Sequence, residues 1–206
     1  ADAMLGRILD AIGSGPNADN TIVVLWSDHG YHHGEKFDWG KHTLWERTSN
    51  VPFMIAGPGI ASGADIDATV SLIDLFPTVT ELAGVADGQE RDGISLVPVL
   101  QEPKSAVDHN VLLPGMKPDE YAIINRSWRY IHYADGGQEL YQVEKDPNEW
   151  HNLASKPEFA TILEELRATA PKDFAKPLPS RDEMRLVIDG QSFHWEAKSA
   201  SQKRKN

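Results

Sequence analysis

Apolar residues along the first half of the chain follow two patterns, and each pattern predicts one type of secondary structure. Residues 1–12 carry apolar side chains at helical spacing before Gly13, which predicts an amphipathic helix. The stretches 21–27 (TIVVLWS) and 51–57 (VPFMIAG) are continuous apolar runs, typical of parallel strands that are buried on both faces. Together these elements predict an α/β layer architecture built around a parallel sheet.

A second helix is predicted after these strands, within the stretch IDLFPTVTELAGV. Proline is tolerated only in the first turn of a helix, so Pro77 indicates that the helix begins near Leu75. Asp74 or an adjacent residue is expected to cap its start, and Gly84 to end it.

The pattern changes beyond about residue 105, where alternating and aromatic residues predict strands. Two strands, 121–126 and 128–134, meet at a turn near Ser127, and ADGGQ predicts a second turn before a strand at 139–143. This is an antiparallel meander, and PEFATILEELRATA after it predicts a helix. The chain therefore divides into three predicted segments: the main α/β part at 1–106, a small antiparallel sheet plus helix at 107–171, and an extended or disordered tail at 172–206.

Composition narrows the possible functions. The chain has 206 residues with 40% hydrophobic and 25% charged residues, as in globular domains, and none of its apolar runs reaches the length of a membrane helix. The absence of cysteine excludes a disulfide framework and a thiolate metal site. The net charge of −11 argues against nucleic acid as a partner, and the basic end KSASQKRKN is interpreted as a solvated terminus.

The stretch LWSDHGYHHGEKFDWGKHTLWE at 25–46 concentrates the candidate chemistry. Asp28 and His29 directly follow a predicted central strand, and ligands of parallel α/β sheets bind beyond the carboxyl ends of strands. A carboxylate suits Ca²⁺ or Mg²⁺ and an imidazole shifts the choice toward Zn²⁺ or Mn²⁺, but two residues cannot fill any of these coordination shells. The alternative is that Asp28 caps a turn and His29 is a solvated loop residue.

Three further residues of this stretch are candidates for anion binding or proton transfer. Lys41 would bind an anionic group such as sulfate or phosphate, and His42 would contact the same anion or donate a proton to a leaving oxygen. His33, like its neighbour His32, is interpreted as a loop or pocket-wall residue. The alternative for Lys41 and His42 is that GKHTLWE opens a short surface helix.

Taken together, the motifs SDHG, GE, WGK, TLWE, VP and GPG, in this order, resemble the sulfatase family of the alkaline-phosphatase-like superfamily. The resemblance is strongest to iduronate-2-sulfatase-like and choline-sulfatase-like enzymes. It extends through SLIDLFPTVTELAG, DGISLVPVL and WRYIHYADGGQELYQVEKDPNEWHNLA, and covers about residues 1–170. It implies the C-terminal part of an alkaline-phosphatase-like parallel sheet sandwiched by helices, followed by a small antiparallel sheet with a C-terminal helix.

The resemblance also implies roles for individual residues. Asp28 and His29 match the pair that ligates a divalent metal in the family, usually Ca²⁺, and Lys41 matches the lysine that binds the sulfate of the substrate. His42 follows it as a plausible substrate contact. His33 stands where the family has leucine, which would place an extra imidazole near the pocket. Two carboxylates of the matched motifs, Glu35 and Glu46, are expected to shape the loop.

Sulfatases use a formylglycine nucleophile made from the first residue of a C/S-x-P-x-R motif, and this sequence has no such motif. The resemblance therefore implies part of a sulfatase that acts on sulfated small molecules or carbohydrates. This chain alone is expected to be inactive, and the fragment to self-associate through an exposed sheet edge. The alternatives are a phosphodiester or phosphonate monoester hydrolase of the same superfamily, or a degenerate non-catalytic domain. A periplasmic or secreted location is implied by the resemblance only.

Overall fold

The computed structural model describes residues 1–85, 88–105, 107, 109–175 and 184–199. The chain forms two compact units, one of residues 1–170 and one of residues 171–206. The predicted boundary at residue 106 and most of the basic end lie outside the described residues. The three-segment division stays a prediction.

The first unit contains helices and strands in mixed order. In chain order they are α1 (Asp2–Gly13), β1 (Val23–Trp26), β2 (His32–His33), β3 (Trp39–Gly40), α2 (Glu46–Ser49), β4 (Phe53–Ala56), α3 (Leu75–Leu82), α4 (Val97–Gln101), β5 (Val111–Pro114), β6 (Tyr121–Ile124), β7 (Trp128–His132), β8 (Gln138–Gln142) and α5 (Ala160–Ala168).

The strands β1 and β4 pair with each other, and they run antiparallel, with Val24 opposite Ile55. The prediction that these two strands are parallel is wrong for this pair. A continuous apolar run favours a strand that is buried on both faces, which is common in parallel sheets, but the run does not by itself fix the strand direction. Burial on both faces is also not observed, since Trp26 and Met54 are about half exposed. A sheet is buried on both faces only when other elements pack on each face, and the described elements do not cover these two strands completely.

The helix α3 begins at Leu75, as Pro77 predicted. Its entry is a short 3-10 turn closed by a capping box, in which the Ser71 side chain and the Asp74 carboxylate each bind the other's backbone. The buried Asp74 also accepts a hydrogen bond of 2.9 Å from the backbone N–H of Ile94. One carboxylate therefore caps the 3-10 turn before α3 and fixes the segment that leads into α4.

The small sheet (β5–β8) is a four-stranded antiparallel meander, in the order β5-β6-β7-β8. The meander of β6, β7 and β8 confirms the predicted alternation, while the strand β5 was not predicted. On one face Leu44, from the loop before α2, packs with Ala122, Ile131 and Tyr141. This contact brings the histidine-rich stretch onto the small sheet.

The second unit contains a hairpin of β9 (Met184–Asp189) and β10 (Ser192–Ala197). The sequence pattern predicted an extended or disordered tail here, with one short apolar patch at 186–188, and it did not predict the hairpin. Phe193 and Trp195 are the partners of Ile188 and Leu186 and stay largely exposed. In the described part of the chain, no helix is long and apolar enough to cross a membrane.

Candidate active site

A cleft of about 730 Å³ is lined by residues from several parts of the first unit. Asp28, His29, Lys41 and His42 all line it, together with the turn between β6 and β7. The predicted metal pair and the predicted anion-binding pair therefore share one cavity. The volume lies within the range of small-molecule binding sites.

The loop after β1 places Asp28 and His29 side by side. The Nδ1 of His29 lies 2.7 Å from the backbone oxygen of Gly30. A carbonyl oxygen only accepts, so Nδ1 carries the proton and donates it. When the ring is neutral, Nε2 then holds the free lone pair, and this atom lies 3.5 Å from Oδ2 of Asp28.

Lys41 reaches the same imidazole from the loop after β3. Its Nζ lies 2.8 Å from Nε2 of His29. An ammonium only donates hydrogen bonds, so Nε2 is the acceptor in this arrangement. An imidazole gives the same lone pair to a divalent metal. The carboxylate, imidazole and ammonium thus meet at one point of the cleft wall.

The structure separates the remaining histidines of this stretch. His42 is exposed and lines the cleft. His33 is exposed on β2, next to the rings of Tyr31 and Trp39, and is not among the described residues that line the cleft. His32 is fully buried, with Nε2 3.0 Å from Oγ1 of Thr43. It is a core residue that connects β2 to the loop after Lys41.

Comparison with known proteins identifies the family of this chain. Residues 1–85 match the family model described as Sulfatase. A sulfatase of Formosa agariphila is 41% identical over 171 residues, which are 83% of this chain and 34% of the relative. A Delta 4,5-hexuronate-2-O-sulfatase of Bacteroides thetaiotaomicron is 38% identical over 78% of this chain and 36% of the relative. The chain belongs to the sulfatase family.

Solved structures agree with this family assignment. A 2-O GAG sulfatase shares 34% identity with a TM-score of 0.70, over 81% of this chain and 38% of that one. A structure in complex with its substrate D-glucosamine-2-N,6-O-disulfate has 29% identity and a TM-score of 0.67. The match covers 81% of this chain and 36% of that chain. A phosphonate monoester hydrolase of Agrobacterium radiobacter has 26% identity and a TM-score of 0.67, over 81% and 39%. These matches confirm the predicted fold class.

This sulfatase-family chain spans about a third of the length of the curated relatives that it matches. The matching family model extends through the whole candidate site, from Asp28 to His42. The assignment to the family therefore includes the residues that meet at the cleft wall.

Part of the site suits a divalent metal. Among the described residues, no group of three or more His, Asp or Glu side chains is arranged to hold a metal ion. Asp28 and His29 offer two atoms that can ligate a metal. The hydrogen bond from Nδ1–H of His29 to Gly30 fixes the tautomer in which the lone pair of Nε2 is available as a metal ligand. The donor chemistry fits a partial shell for a divalent cation.

Sequence reasoning missed the residues that anchor the loop of this sulfatase-family site. Arg129 of β7 is 2% exposed and forms ion pairs with Glu46 and Glu149. Glu46 was expected to shape the loop, and it does so through this arginine. An apolar strand pattern interrupted by arginine, as in WRYIHY, is the signal that could have indicated a buried ion pair.

Gly30 is needed for close approach of two backbones. A Cβ atom at this position would lie 2.0 Å from the backbone oxygen of Arg47. The N–H of Gly30 donates to the backbone oxygen of Thr48 at 3.0 Å. The glycine of the DHG motif therefore lets the loop of Asp28 and His29 rest directly on α2.

Gly30→Ala is expected to lower the free energy of unfolding of the chain by about 1–3 kcal/mol, because the methyl group must push the two backbones apart. Urea unfolding followed by circular dichroism measures this. Gly6→Ala is the matched control, since its Cβ would meet nothing within 4 Å inside α1. That control is expected to raise stability by about 0.5–1 kcal/mol. Equal stability of the Gly30→Ala variant and the wild type would contradict the close contact.

Proposed function

We propose that this chain supplies the sulfate-binding and metal-ligating wall of an enzyme that hydrolyses sulfate esters of sugars. The observation that carries the proposal is the convergence of Lys41, His29 and Asp28, with Lys41 Nζ 2.8 Å from the imidazole of His29. Lys41 is 12 positions from His29 in sequence, and it converges with the Asp28–His29 pair on one cleft. The family membership supports the reaction class.

Each residue has a role in this proposal. The ammonium of Lys41 binds the sulfate group of the substrate, because a fixed cation in a cleft stabilises the charge on its oxygens. His42 contacts the ester oxygen and donates a proton to the leaving group. His33 is a proposed second substrate contact on the exposed face of β2, outside the cleft wall.

Asp28 and His29 would hold the divalent metal, proposed to be Ca²⁺, which when bound supplies positive charge to the oxygens of the sulfate. His29 is oriented for this by its Nδ1–H bond to Gly30. The loop thus fixes the ring before any ligand is present. The nucleophile, proposed to be formylglycine, and the other metal ligands belong to parts of the enzyme outside this chain.

A sulfated sugar is the proposed substrate class. One relative is named as a sulfatase of a hexuronate, and one similar structure contains a disulfated glucosamine as substrate. A cleft of about 730 Å³ has the size of a small-molecule binding site.

The test is sulfate release by the full-length protein that contains this chain, from a sulfated hexuronate, a sulfated glucosamine and an aryl sulfate. Turnover of at least one sulfated sugar is expected, and the 206-residue chain alone is expected to release none. Turnover by the chain alone would show that the nucleophile was wrongly placed outside it. No turnover by the full-length protein would favour the non-catalytic alternative.

A phosphonate monoester hydrolase is the second candidate, because an enzyme of that name is 26% identical in a solved structure. A phosphonate monoester is therefore included in the same assay. Faster turnover of the phosphonate than of every sulfate ester would make this second candidate the better one.

A further inference from the structure

The site segment (residues 27–49) carries Asp28, His29, Lys41 and His42, and it contacts the small sheet through one buried and one half-buried cation. One is Arg129 of β7, and the other is Lys36 of the β2–β3 loop. The contacts of these two side chains join the segment to the sheet in addition to the packing of Leu44 on its apolar face.

Arg129 binds three points at the end of the site segment. Its Nη1 donates to the backbone oxygen of Leu44 and to Oγ of Ser49, each at 3.0 Å, and its Nη2 forms an ion pair with Glu46. On its other side, Nε lies 2.8 Å from Oε1 of Glu149. The guanidinium thus holds the loop by hydrogen bonds from Nη1 and an ion pair from Nη2, and it holds the turn after β8 by the ion pair of Nε with Glu149.

Glu149 completes this junction. It is 4% exposed, and its Oε2 accepts the backbone N–H of Glu46 at 2.9 Å. Burial raises the pKa of Glu149, and Arg129 opposes this rise. The first residue of α2 is thus bound through its side chain to Arg129 and through its backbone to Glu149.

Lys36 holds the middle of the segment, before Lys41. Its Nζ donates to the backbone oxygen of Glu149 at 2.5 Å and to the hydroxyl of Tyr141 at 3.0 Å. The same nitrogen lies 4.5 Å and 4.6 Å from the ring centroids of Trp45 and Tyr141, which adds cation–π attraction.

The backbone of Lys36 supports the same conclusion. Its φ of 54° lies in the left-handed region, which is unfavourable for a lysine and persists only where surrounding contacts enforce it. The contacts of its ammonium group with the small sheet are such contacts. Lys41 and His42 lie between the two anchored points, residue 36 and residues 44–49.

We propose that Arg129 and Lys36 are positioning residues, which hold Lys41 and His42 in the cleft by tying the site segment to the small sheet on either side of these two residues. The small sheet is then part of the active-site framework. This arrangement rests on the contacts within the chain, and it can be tested without a substrate.

The Arg129 anchor is tested with the variant Glu46→Gln. The measurement is amide hydrogen exchange of the chain, followed residue by residue by NMR. The variant weakens the loop side of the Arg129 junction and leaves the Arg129–Glu149 pair in place. The amides of Gly30, Glu46 and Thr48 are expected to exchange about tenfold faster or more, as for loss of a hydrogen bond to a charged group. The amides of β6 and β7 are expected to keep their protection.

Lys36→Met tests the second anchor, because it retains the aliphatic stem and removes the ammonium. Here the amides of Gly34 and Asp38, which bond within the loop, are expected to exchange about tenfold faster or more. The matched control is Glu164→Gln, which weakens an exposed pair with Arg167 on α5 and is expected to change neither set of amides.

Two outcomes would overturn the proposal. One is unchanged exchange in the site segment of both variants. The other is equal acceleration in the site segment and in β6 and β7, which is the signature of a purely global loss of stability. Because exchange is measured without substrate, a failure here is separate from a failure of the sulfatase assay.

Discussion

Arg129→Met is expected to lower the free energy of unfolding of the chain by about 3–5 kcal/mol, the cost of breaking a buried ion pair by removing one partner. Methionine fills most of the volume of the arginine stem. The loss in free energy of unfolding therefore measures the contribution of the charge and its hydrogen bonds. The substitution removes the cation that pairs with Glu46 and with the buried Glu149. It also removes the hydrogen-bond donor to the backbone oxygen of Leu44. Urea unfolding monitored by circular dichroism gives the value.

The pH dependence of this loss provides a second measurement. Burial raises the pKa of Glu149, and removal of Arg129 raises it further, because Arg129 is the main group that opposes the rise. A carboxyl with a raised folded-state pKa contributes stability below its unfolded pKa, and this contribution is lost as the pH rises through the folded pKa. The deficit of the Arg129→Met variant is therefore expected to be smaller at acidic pH than at neutral pH.

Arg167→Met is the matched control for this experiment. Arg167 pairs with Glu164 at 3.4 Å on α5, and both side chains are more than half exposed. Its replacement is expected to change the free energy of unfolding by about 0.5 kcal/mol or less. A loss of similar size in both variants would contradict a special role of the buried arginine.

Lys41→Ala is expected to reduce kcat of the full-length enzyme on its sulfated substrate by about 10²–10³-fold, as for removal of one preorganised donor to a developing oxyanion. The physical reason is that alanine removes the cation that lies at the cleft wall beside His29. Steady-state kinetics of sulfate release measures the change.

Lys156→Ala is the control for Lys41, because Lys156 is exposed and is not among the described residues that line the cleft. Its kcat and KM are expected to match those of the wild type. Lys41→Arg adds a second comparison, since it keeps the charge but changes the geometry of the donors. Wild-type kcat in Lys41→Ala would exclude Lys41 as the sulfate-binding cation.

The accuracy of the sequence-based predictions follows from the range of the interactions involved. The start of α3 at Leu75 and the meander of β6, β7 and β8 depend on proline geometry and on alternation between neighbouring residues. Such interactions are local and can be recognised in a single sequence. The direction of β4 relative to β1 depends on pairing between distant segments, and the apolar run in each strand is compatible with either direction.

The candidate site follows the same rule. The motif order by itself determined the sulfatase resemblance and selected Asp28, His29, Lys41 and His42, because these residues occur at fixed positions in short motifs. Only the tertiary structure placed Lys41 on His29 and separated His33 from the cleft wall. It also joined Glu46 to Arg129, which is 83 residues away in the chain. Sequence spacing carries no information on a contact of that range, because it forms only when the small sheet packs against the loop.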